Sequence, residues 1–411
     1  MPRLPESSGR RESALAETTS GLAPEAARQI DRLSMSVPDP LTALTYVSRL
    51  RERQPAAFQR MAESRTALQY AITIFSYSRF LSDELVENPK WILDLMSRND
   101  LQRVCRTDEY LERLRFLLSV QGAQPAPDAR TLSQFRRESI LRILLRDVLG
   151  LGSLSEITEE LSNLADAILE AAYQGIRAEL VRRYGRPMMT FGEDSVESGF
   201  AIIALGKLGG GELNYSSDID LMYVYAGNGQ TEGPQRISNK EFFKKLAAQL
   251  TQSLSTYTPE GLCYRVDLRL RPEGRYGEIC ISLDGARNYY QKRARDWELQ
   301  MLIKARLAAG DVETGRGLLE FVEPLIYSST LDLSAVEQMS ATRDRIDHKL
   351  SGRGRAPAAF DVKLARGGIR DIEFLVQCLQ RLHGGRVEWI RHGGTLLSLI
   401  RLQDKSLMSA S

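Results

Sequence analysis

Apolar positions recur with helical spacing over most of the first half of the chain. Between about residues 39 and 184, apolar side chains return every three or four positions, and glycines or prolines separate the successive segments. One broad apolar face shows the pattern most clearly, with Leu68, Tyr70, Ile72, Ile74, Phe75, Tyr77 and Phe80. The spacing predicts a helical region over residues 36–193.

The first 35 residues have a different composition. They are rich in Ser, Glu, Pro and Ala, which predicts a disordered leader over residues 1–35 with one short helix near residues 25–33. The leader has no apolar core of the length that a secretory signal requires. The chain also lacks an apolar run of about 18 residues, so we expect a soluble, cytoplasmic protein without a membrane partner.

The pattern changes near residue 194. Phe200–Leu205 is a continuous apolar run, typical of a strand that is buried on both faces. Ser238 and Glu241 form a capping box that opens a helix. Three further strands are predicted, at residues 219–225, 264–270 and 277–283. Together these elements predict an α/β domain over residues 194–287.

Helical spacing returns in the last part of the chain, over residues 288–411. The clearest apolar face there comprises Ile369, Ile372, Leu375, Val376, Leu379 and Leu382. The tail after residue 405 stops without an obvious structural end, so we expect this region to be truncated. The fold class predicted is therefore α+β and mostly helical, with one α/β domain between helical regions.

Composition excludes several classes of protein. Lys and Arg number 55 and Asp and Glu 53, so the net charge of +2 argues against a dedicated nucleic-acid partner. The four cysteines lie far apart, without a Cys-x-x-Cys pair, which excludes a zinc ribbon and a disulfide scaffold. The three histidines have no spacing that would make a local catalytic zinc site.

The strongest chemical signal lies between Gly206 and Asp220, in the segment GKLGGGELNYSSDID. Asp218 and Asp220 are two positions apart in extended chain, so their carboxylates point to the same face. Two adjacent carboxylates repel each other unless a cation lies between them, and hard divalent cations prefer oxygen ligands. Three consecutive glycines from Gly209 onward allow a loop whose amide groups approach phosphate oxygens closely.

Two alternative interpretations of this glycine loop fail on detail. A Walker A loop requires Ser or Thr after its Gly-Lys pair, but Leu208 follows Lys207. A dinucleotide-binding fold requires the glycine loop to open a helix, whereas this loop leads into Asn214 and a strand. A surface turn with two solvated aspartates is the remaining structural alternative.

A second group of charged residues follows at residues 264–271. Alternation in a strand places Tyr264, Val266, Leu268 and Leu270 on one face and Arg265, Asp267, Arg269 and Arg271 on the other. A row of arginines with one embedded carboxylate predicts that Asp267 is a third metal ligand, with guanidinium groups beside it for phosphates. The alternative is an edge strand with a charged, solvated face.

Two more segments carry candidate basic residues. Lys304 and Arg306 lie on a predicted helix, where two positions correspond to about 200°, so they would not share a face. One of them is a candidate for the site, and ordinary helix surface is the alternative. Paired glycines precede Arg370 and a helix whose first turn carries Asp371 and Glu373. This helix start either faces a substrate or complements the helix dipole.

These residues carry a family resemblance. The spacing from Gly206 to Asp220 resembles the Gly-x11-Asp-x-Asp pattern of polymerase-beta-like nucleotidyltransferases. The fuller string GKLGGxELNYSSDIDL is similar to that of the glutamine synthetase adenylyltransferase family. Segments beginning at Arg265, Trp297 and Gly367 match the same family in order. The resemblance covers about residues 66–402 and is most specific in the α/β domain.

The resemblance implies metal-dependent nucleotidyl transfer on glutamine synthetase. Asp218, Asp220 and Asp267 would be the catalytic carboxylates and would bind one or two Mg²⁺ ions. The nucleotide- and phosphate-binding residues implied are Gly206, Lys207, Gly209, Gly210, Ser217, Arg265, Arg269, Arg271, Lys304, Arg306 and Arg370. The partners implied are glutamine synthetase, ATP or ADP, inorganic phosphate and a PII signalling protein.

The resemblance also predicts a direction of reaction. Full-length members of the family carry two such domains, of which the N-terminal one removes AMP from a tyrosine by phosphorolysis and the C-terminal one adds it from ATP. The segments at Asn214 and Arg265 resemble the removing copy, so we expect ADP as the product. With one domain, this chain is expected to be a fragment or a truncated gene product.

Three alternatives remain beside this expectation. The chain could add AMP from ATP, because both directions need the same carboxylates. It could be a non-catalytic module that binds a nucleotide or PII, although nucleotide binding alone does not require three converging carboxylates. An RNA-modifying transferase of the same superfamily is disfavoured by the near-neutral charge.

Overall fold

The computed structural model describes residues 6–120, 126–216, 218–327, 361–363, 365 and 367–408. The chain forms two compact units, of which the first comprises Met1–Cys105 and Phe135–Glu160 and the second Arg106–Gln134 and Leu161–Ser411. The described helices outnumber the strands, as expected for a mostly helical α+β chain. None of the described helices combines the length and the apolar character needed to cross a membrane.

The first unit is built from short helices. Its first seven are α1 (Glu6–Thr19), α2 (Pro24–Met35), α3 (Pro40–Arg53), α4 (Pro55–Ala62), α5 (Arg65–Tyr77), α6 (Arg79–Glu87) and α7 (Lys90–Arg98). Proline opens α2, α3 and α4, where its missing N–H costs nothing. Side chains that accept a backbone N–H cap α3, α5 and α6, through Asp39, Ser64 and Ser78.

The expected disordered leader is wrong for the described residues 6–35. These residues form α1 and α2, and Ile30 and Leu33 are buried. Arg11 pairs with Asp31, and Thr18 bonds to Ser48 at 2.8 Å. The composition of the leader is polar, but a few apolar positions at helical spacing suffice to pack it onto its neighbours.

A buried ion cluster lies inside the first unit. Glu160 is fully buried, and each of its carboxylate oxygens accepts a bond from one guanidinium, that of Arg142 or that of Arg146. Arg142 also donates to the carbonyl of Arg103 at 2.7 Å, and Arg146 donates to the carbonyl of Leu101 at 3.0 Å. Charges this deep are tolerated only when they are paired and hydrogen-bonded, so Glu160 is required by both arginines.

The second unit combines strands and helices. Its strands are β1 (Pro187–Phe191), β2 (Asp194–Glu197), β3 (Phe200–Leu205), β4 (Asp218–Tyr225), β5 (Gly229–Thr231), β6 (Arg265–Asp267), β7 (Cys280–Ser282) and β8 (Arg306–Gly310). The remaining helices are α8 (Thr107–Val120), α9 (Ala129–Val148), α10 (Leu154–Tyr184), α11 (Gly206–Gly209), α12 (Asn239–Ser255), α13 (Leu283–Lys292), α14 (Asp296–Met301), α15 (Val312–Ile326), α16 (Ile369–Gly384) and α17 (Thr395–Asp404). Residues 135–148 of α9 and 154–160 of α10 belong to the first unit.

The main sheet has the strand order β6-β4-β3-β8, and β7 also pairs with β4. Strand β3 is antiparallel to β4 and β8, whereas β4 is parallel to β6 and β7. One face of the sheet packs on α13 and α15, with Ile203, Met222 and Val224 in its core. The other face stacks Phe200 on Phe243 of α12, with ring centroids 5.5 Å apart. The smaller sheet has the order β2-β1-β5.

The structure confirms the two central predicted strands and corrects their surroundings. The α/β core extends beyond residues 194–287 at both ends, because β1 begins at Pro187 and β8 forms an edge of the main sheet. The predicted strand at 264–270 ends at Asp267. The predicted helix at 369 is present as α16, but the side chains of Ile369, Ile372 and Leu375 are about half exposed.

We expect Glu160→Gln to destabilise the protein by about 3 kcal/mol, because the substitution removes the negative charge shared by two buried guanidinium groups. Urea unfolding at pH 7.5 measures the change. Glu159→Gln is the matched control, since Glu159 is the neighbouring residue and is exposed. Equal stabilities for the two variants would contradict this role of Glu160.

Candidate active site

Three aspartates meet at the edge of the main sheet where β4 begins. Asp218 and Asp220 are alternate residues of β4 and therefore project from the same face, the face that Met222 continues into the core. The parallel register of β6 places Asp267 directly beside Asp220. Since neighbouring strands lie about 4.8 Å apart, the structure brings the three predicted carboxylates together.

The electrostatics of this group reflect crowding of negative charge. Burial, together with the charges of Asp267 and Asp218, raises the pKa of Asp220 to about 6, and Arg269 and Lys363 act in the opposite direction. Burial also works to raise the pKa of Asp267, but hydrogen bonds from Arg269 outweigh it and lower the pKa. Positive charge at this place is therefore favourable, because it offsets the cost of three neighbouring carboxylates.

Two of the predicted arginines supply such charge. Arg265 pairs with Asp218, and Arg269 donates from Nε to the carboxylate oxygens of Asp267 at 2.9 and 2.7 Å. Both guanidinium groups are largely exposed and could exchange their carboxylate partners for a phosphate.

The predicted ladder of arginines along one strand is wrong. β6 ends at Asp267, because the carboxylate of Asp267 accepts the backbone N–H of Arg269 at 2.9 Å and closes a local turn. Arg271 lies beyond the turn and donates to the carbonyls of Leu268 and Gly277 at 2.7 and 2.8 Å. Its guanidinium is thus used to hold the loop that follows.

The glycine segment packs tightly around the acidic group. Residues 206–209 form the single helical turn α11, where an open loop was expected. Gly206 has a φ of +55°, and a Cβ atom at this position would overlap the carboxylate of Asp220. Gly209 and Gly210 lie against the carbonyls of Lys304 and Gly393. These glycines thus allow neighbouring backbone segments to approach closely. Contact of the glycines, or of the half-buried Lys207, with a phosphate stays a prediction.

Two further predicted site residues are not described beside the aspartates. Ser217 lies outside the described residues. Arg370 is exposed on the first turn of α16, where Asp371 accepts the N–H of Gly367 at 2.8 Å and so stabilises the start of the helix. Contact of Arg370 with a nucleotide stays a prediction.

Lys304 and Arg306 do not lie on one helix, contrary to expectation. Helix α14 ends at Met301, residues 302–304 form a 3-10 turn, and β8 begins at Arg306. Lys304 is only 5% exposed and donates from Nζ to Glu212 at 3.1 Å. Neither base has a bond to the three aspartates among the hydrogen bonds described.

Arg306 instead links the glycine turn to α10. Its guanidinium donates to Asp166 at 2.6 and 3.1 Å and to the carbonyl of Leu208 at 2.9 Å. Burial raises the pKa of Asp166 to about 6, and Arg306 opposes that shift. Asp166, like Glu212, was not predicted from sequence, because its partner lies 140 residues away. Lys363 was also missed as a site residue, although its charge acts on Asp220.

The acidic group fits a divalent cation by its chemistry. Asp218, Asp220 and Asp267 provide oxygen ligands, and the raised pKa of Asp220 indicates negative charge that a cation would offset. Within the described part of the chain, no group of three acidic, His or Cys side chains is already arranged around a metal position. In this structure Asp218 pairs with Arg265 and Asp267 pairs with Arg269.

Comparison with protein families identifies the chain. Residues 68–320 match the family model of glutamate-ammonia ligase adenylyltransferase. The chain belongs to this family. The match includes the acidic group, the glycine turn and both basic residues that surround the turn. Residues 336–411 match a second model, that of GlnD PII-uridylyltransferase.

Curated members of the adenylyltransferase family resemble most of this chain. A bifunctional glutamine synthetase adenylyltransferase/adenylyl-removing enzyme from Hahella chejuensis is 35% identical over 81% of the chain. Proteins with the same name from Pseudomonas syringae and Xanthomonas campestris are 35% and 38% identical over 84% and 69% of it. These matches cover 34%, 34% and 30% of the relatives, so the chain spans about a third of their length.

We expect Asp220→Asn to stabilise the metal-free protein, and more so at pH 7.5 than at pH 4.5. The pKa of Asp220 is about 6 in the folded state and near 4 when unfolded, so the folded state binds the proton more tightly. The free energy of unfolding of the wild type therefore falls as the pH rises through the range between the unfolded and the folded pKa. The variant lacks this titrating group, so its stability does not show this fall.

Urea unfolding in the presence of a chelator measures this difference, which should be about 1–2 kcal/mol larger at the higher pH. Asp284→Asn is the control, because that carboxylate is exposed on α13. A gain for Asp220→Asn that stays constant with pH would contradict the raised pKa of Asp220.

Proposed function

We propose that this chain is a metal-dependent nucleotidyltransferase that removes AMP from an adenylylated tyrosine of glutamine synthetase. The observation that carries the proposal is the pairing of β4 with β6, which sets Asp267 beside Asp220. Gly206 packs against the carboxylate of Asp220. Membership of the adenylyltransferase family supports the reaction class. The relatives are named as glutamine synthetase adenylyltransferase/adenylyl-removing enzymes, and this name supports glutamine synthetase as the substrate.

Asp218, Asp220 and Asp267 are the residues that would hold Mg²⁺. When bound, the ion would supply positive charge to the phosphate oxygens of the adenylyl group. Arg265 and Arg269 currently pair with two of these carboxylates. With a cation on the carboxylates, both guanidinium groups are free to bind and orient a phosphate by bidentate hydrogen bonds.

The reaction we propose is phosphorolysis. An oxygen of inorganic phosphate forms a bond to the phosphorus of the AMP group, and the bond from that phosphorus to the tyrosyl oxygen breaks. The products are ADP and a tyrosinate, which takes up a proton. The resemblance of the segments at Asn214 and Arg265 to the adenylyl-removing copy supports this direction, and the arginines provide charge for the attacking phosphate.

Addition of AMP from ATP is the second candidate, and the relatives' names include both activities. The same three carboxylates would serve it, since only the attacking and leaving oxygens change places. The match of residues 336–411 to a PII-uridylyltransferase model supports a PII protein as regulator. A module that only binds a nucleotide or PII would not need the three carboxylates.

The product decides between these functions. The purified chain, adenylylated glutamine synthetase, Mg²⁺ and phosphate should yield ADP, at a rate that depends on the phosphate concentration. Asp218→Asn should lower turnover by about 10²-fold or more, because loss of a metal ligand costs several kcal/mol in the transition state.

The assay also identifies the alternatives. Release of AMP without phosphate would indicate hydrolysis, and transfer of label from ATP to unmodified glutamine synthetase would indicate the opposite direction. Full turnover by a folded Asp218→Asn variant would refute the metal site, whereas Asp284→Asn should retain wild-type turnover because Asp284 is exposed on α13.

A pair of glycine variants tests the packing of the turn against Asp220. Gly206 and Gly211 both have positive φ, so alanine at either position costs about 1–2 kcal/mol in backbone strain. Only the alanine at 206 would contact Asp220, since nothing lies within 4 Å of a Cβ atom at 211.

We expect Gly206→Ala to lose most of its turnover while Gly211→Ala keeps it. Both variants share the backbone strain, and Gly206→Ala should lose more stability because the carboxylate of Asp220 must shift. Turnover by product analysis and the midpoint of urea unfolding measure both quantities. Similar turnover in the two variants would show that Gly206 has no special relation to Asp220.

A further inference from the structure

The glycine turn is held by bonds that do not involve the acidic group. Within the turn, the N–H of Gly210 donates to Gly206 at 3.0 Å and that of Glu212 donates to Lys207 at 2.8 Å. Immediately after the turn, the N–H of Leu213 donates to Ser162 at 3.1 Å. The turn therefore has its own hydrogen bonds and an anchor on α10 within the second unit.

Glu212 joins this turn to the start of α17. Its carboxylate accepts the backbone N–H groups of Thr395 and Leu396, the latter at 3.3 Å, and the hydroxyl of Thr395 at 3.1 Å. The first turn of α17 has no cap from its own preceding residue, Gly394, so Glu212 supplies the acceptor that a capping side chain would provide. Gly393 lies directly against Gly210, which brings the two segments into backbone contact.

Lys304 closes the same network from the centre. Its ammonium group donates to Glu212 at 3.1 Å, to Glu373 of α16 at 2.9 Å and to the hydroxyl of Thr395 at 3.1 Å. These three acceptors use all three hydrogens of the ammonium group. The side chain is 6% exposed, so the bonds cannot be replaced readily by water.

We propose that Lys304 and Glu212 are positioning residues that make the geometry of the active site depend on the seating of α16 and α17. The proposal rests on the proposed function. Lys304 and Glu212 fix the end of the glycine turn to both helices, and the beginning of the turn, Gly206, packs on the carboxylate of Asp220. A shift of α17 is thereby passed through a four-residue helix to a metal-binding carboxylate.

Lys304→Met and Glu212→Gln test this link in the full chain. Methionine retains the length and apolar stem of the lysine but none of its donors. Displacement of a reacting group by about 1 Å can cost 10²-fold in rate. We therefore expect kcat of each variant to fall by about 10–10²-fold relative to the wild type. KM for phosphate should change by less than about twofold, because neither side chain contacts the acidic group or its arginines.

Hydrogen exchange supplies a readout that does not depend on turnover. We expect faster exchange of the amides of residues 210–213 and 395–398 in both variants, with unchanged exchange in β3 and β4. Lys245→Met is the matched control, since it removes a partly exposed lysine that pairs with Glu241 on α12 at 3.3 Å and has no bond to the glycine turn among those described. It should alter neither kcat nor exchange in these two segments.

The result that would overturn the proposal is wild-type kcat, or unchanged exchange in the turn, for a folded Lys304→Met. If that variant unfolds, Thr395→Val decides, because it removes one bond to each of Lys304 and Glu212 with little change in shape. An inactive wild type with accelerated exchange in the variants would reject the proposed function and retain the mechanical link. An active wild type with fully active, folded variants would reject the link alone.

Discussion

Repulsion among carboxylates on two paired strands is the constraint on which the rest of the candidate site depends. The parallel pairing of β4 with β6 sets Asp267 beside Asp220, and strand alternation adds Asp218 on the same face. Such an arrangement is stable only if positive charge is close. Arg265 and Arg269 supply it by pairing with Asp218 and Asp267. Burial and these two neighbouring carboxylates raise the pKa of Asp220.

The basic residues near this site divide into two roles. Arg265 and Arg269 are exposed and pair with the aspartates, so they can respond to a ligand. The buried Lys304 and the partly buried Arg306 hold the glycine turn to α16, α17 and α10. Each of these two cations has several acceptors at once and so links separate elements, whereas the exposed pair contacts only the aspartates among the ion pairs described.

Sequence reasoning predicted what depends on local pattern. The alternation of β4 gave the shared face of Asp218 and Asp220, and the apolar run of Phe200–Leu205 gave the strand beside it. It failed where an individual side-chain bond, local or distant, determines the structure. The end of β6 depends on a bond between Asp267 and Arg269, and the burial of Lys304 depends on acceptors as far along the chain as Thr395. The polar leader was misjudged because its few apolar residues, Ile30 among them, are buried by other helices.

The capping of α17 by Glu212 has a consequence for how the protein acquires its structure. The two bonded residues are separated by 183 positions, and Arg306 and Asp166 by 140. Contacts between such distant residues require a large loss of chain entropy before they become favourable, which slows folding. During synthesis from the N-terminus, β3 and β4 would emerge from the ribosome long before Thr395. The carboxylate of Glu212 would therefore lack its partners at the start of α17 until residue 395 has emerged, so the turn beside the candidate site would gain this link later than β3 and β4 can pair.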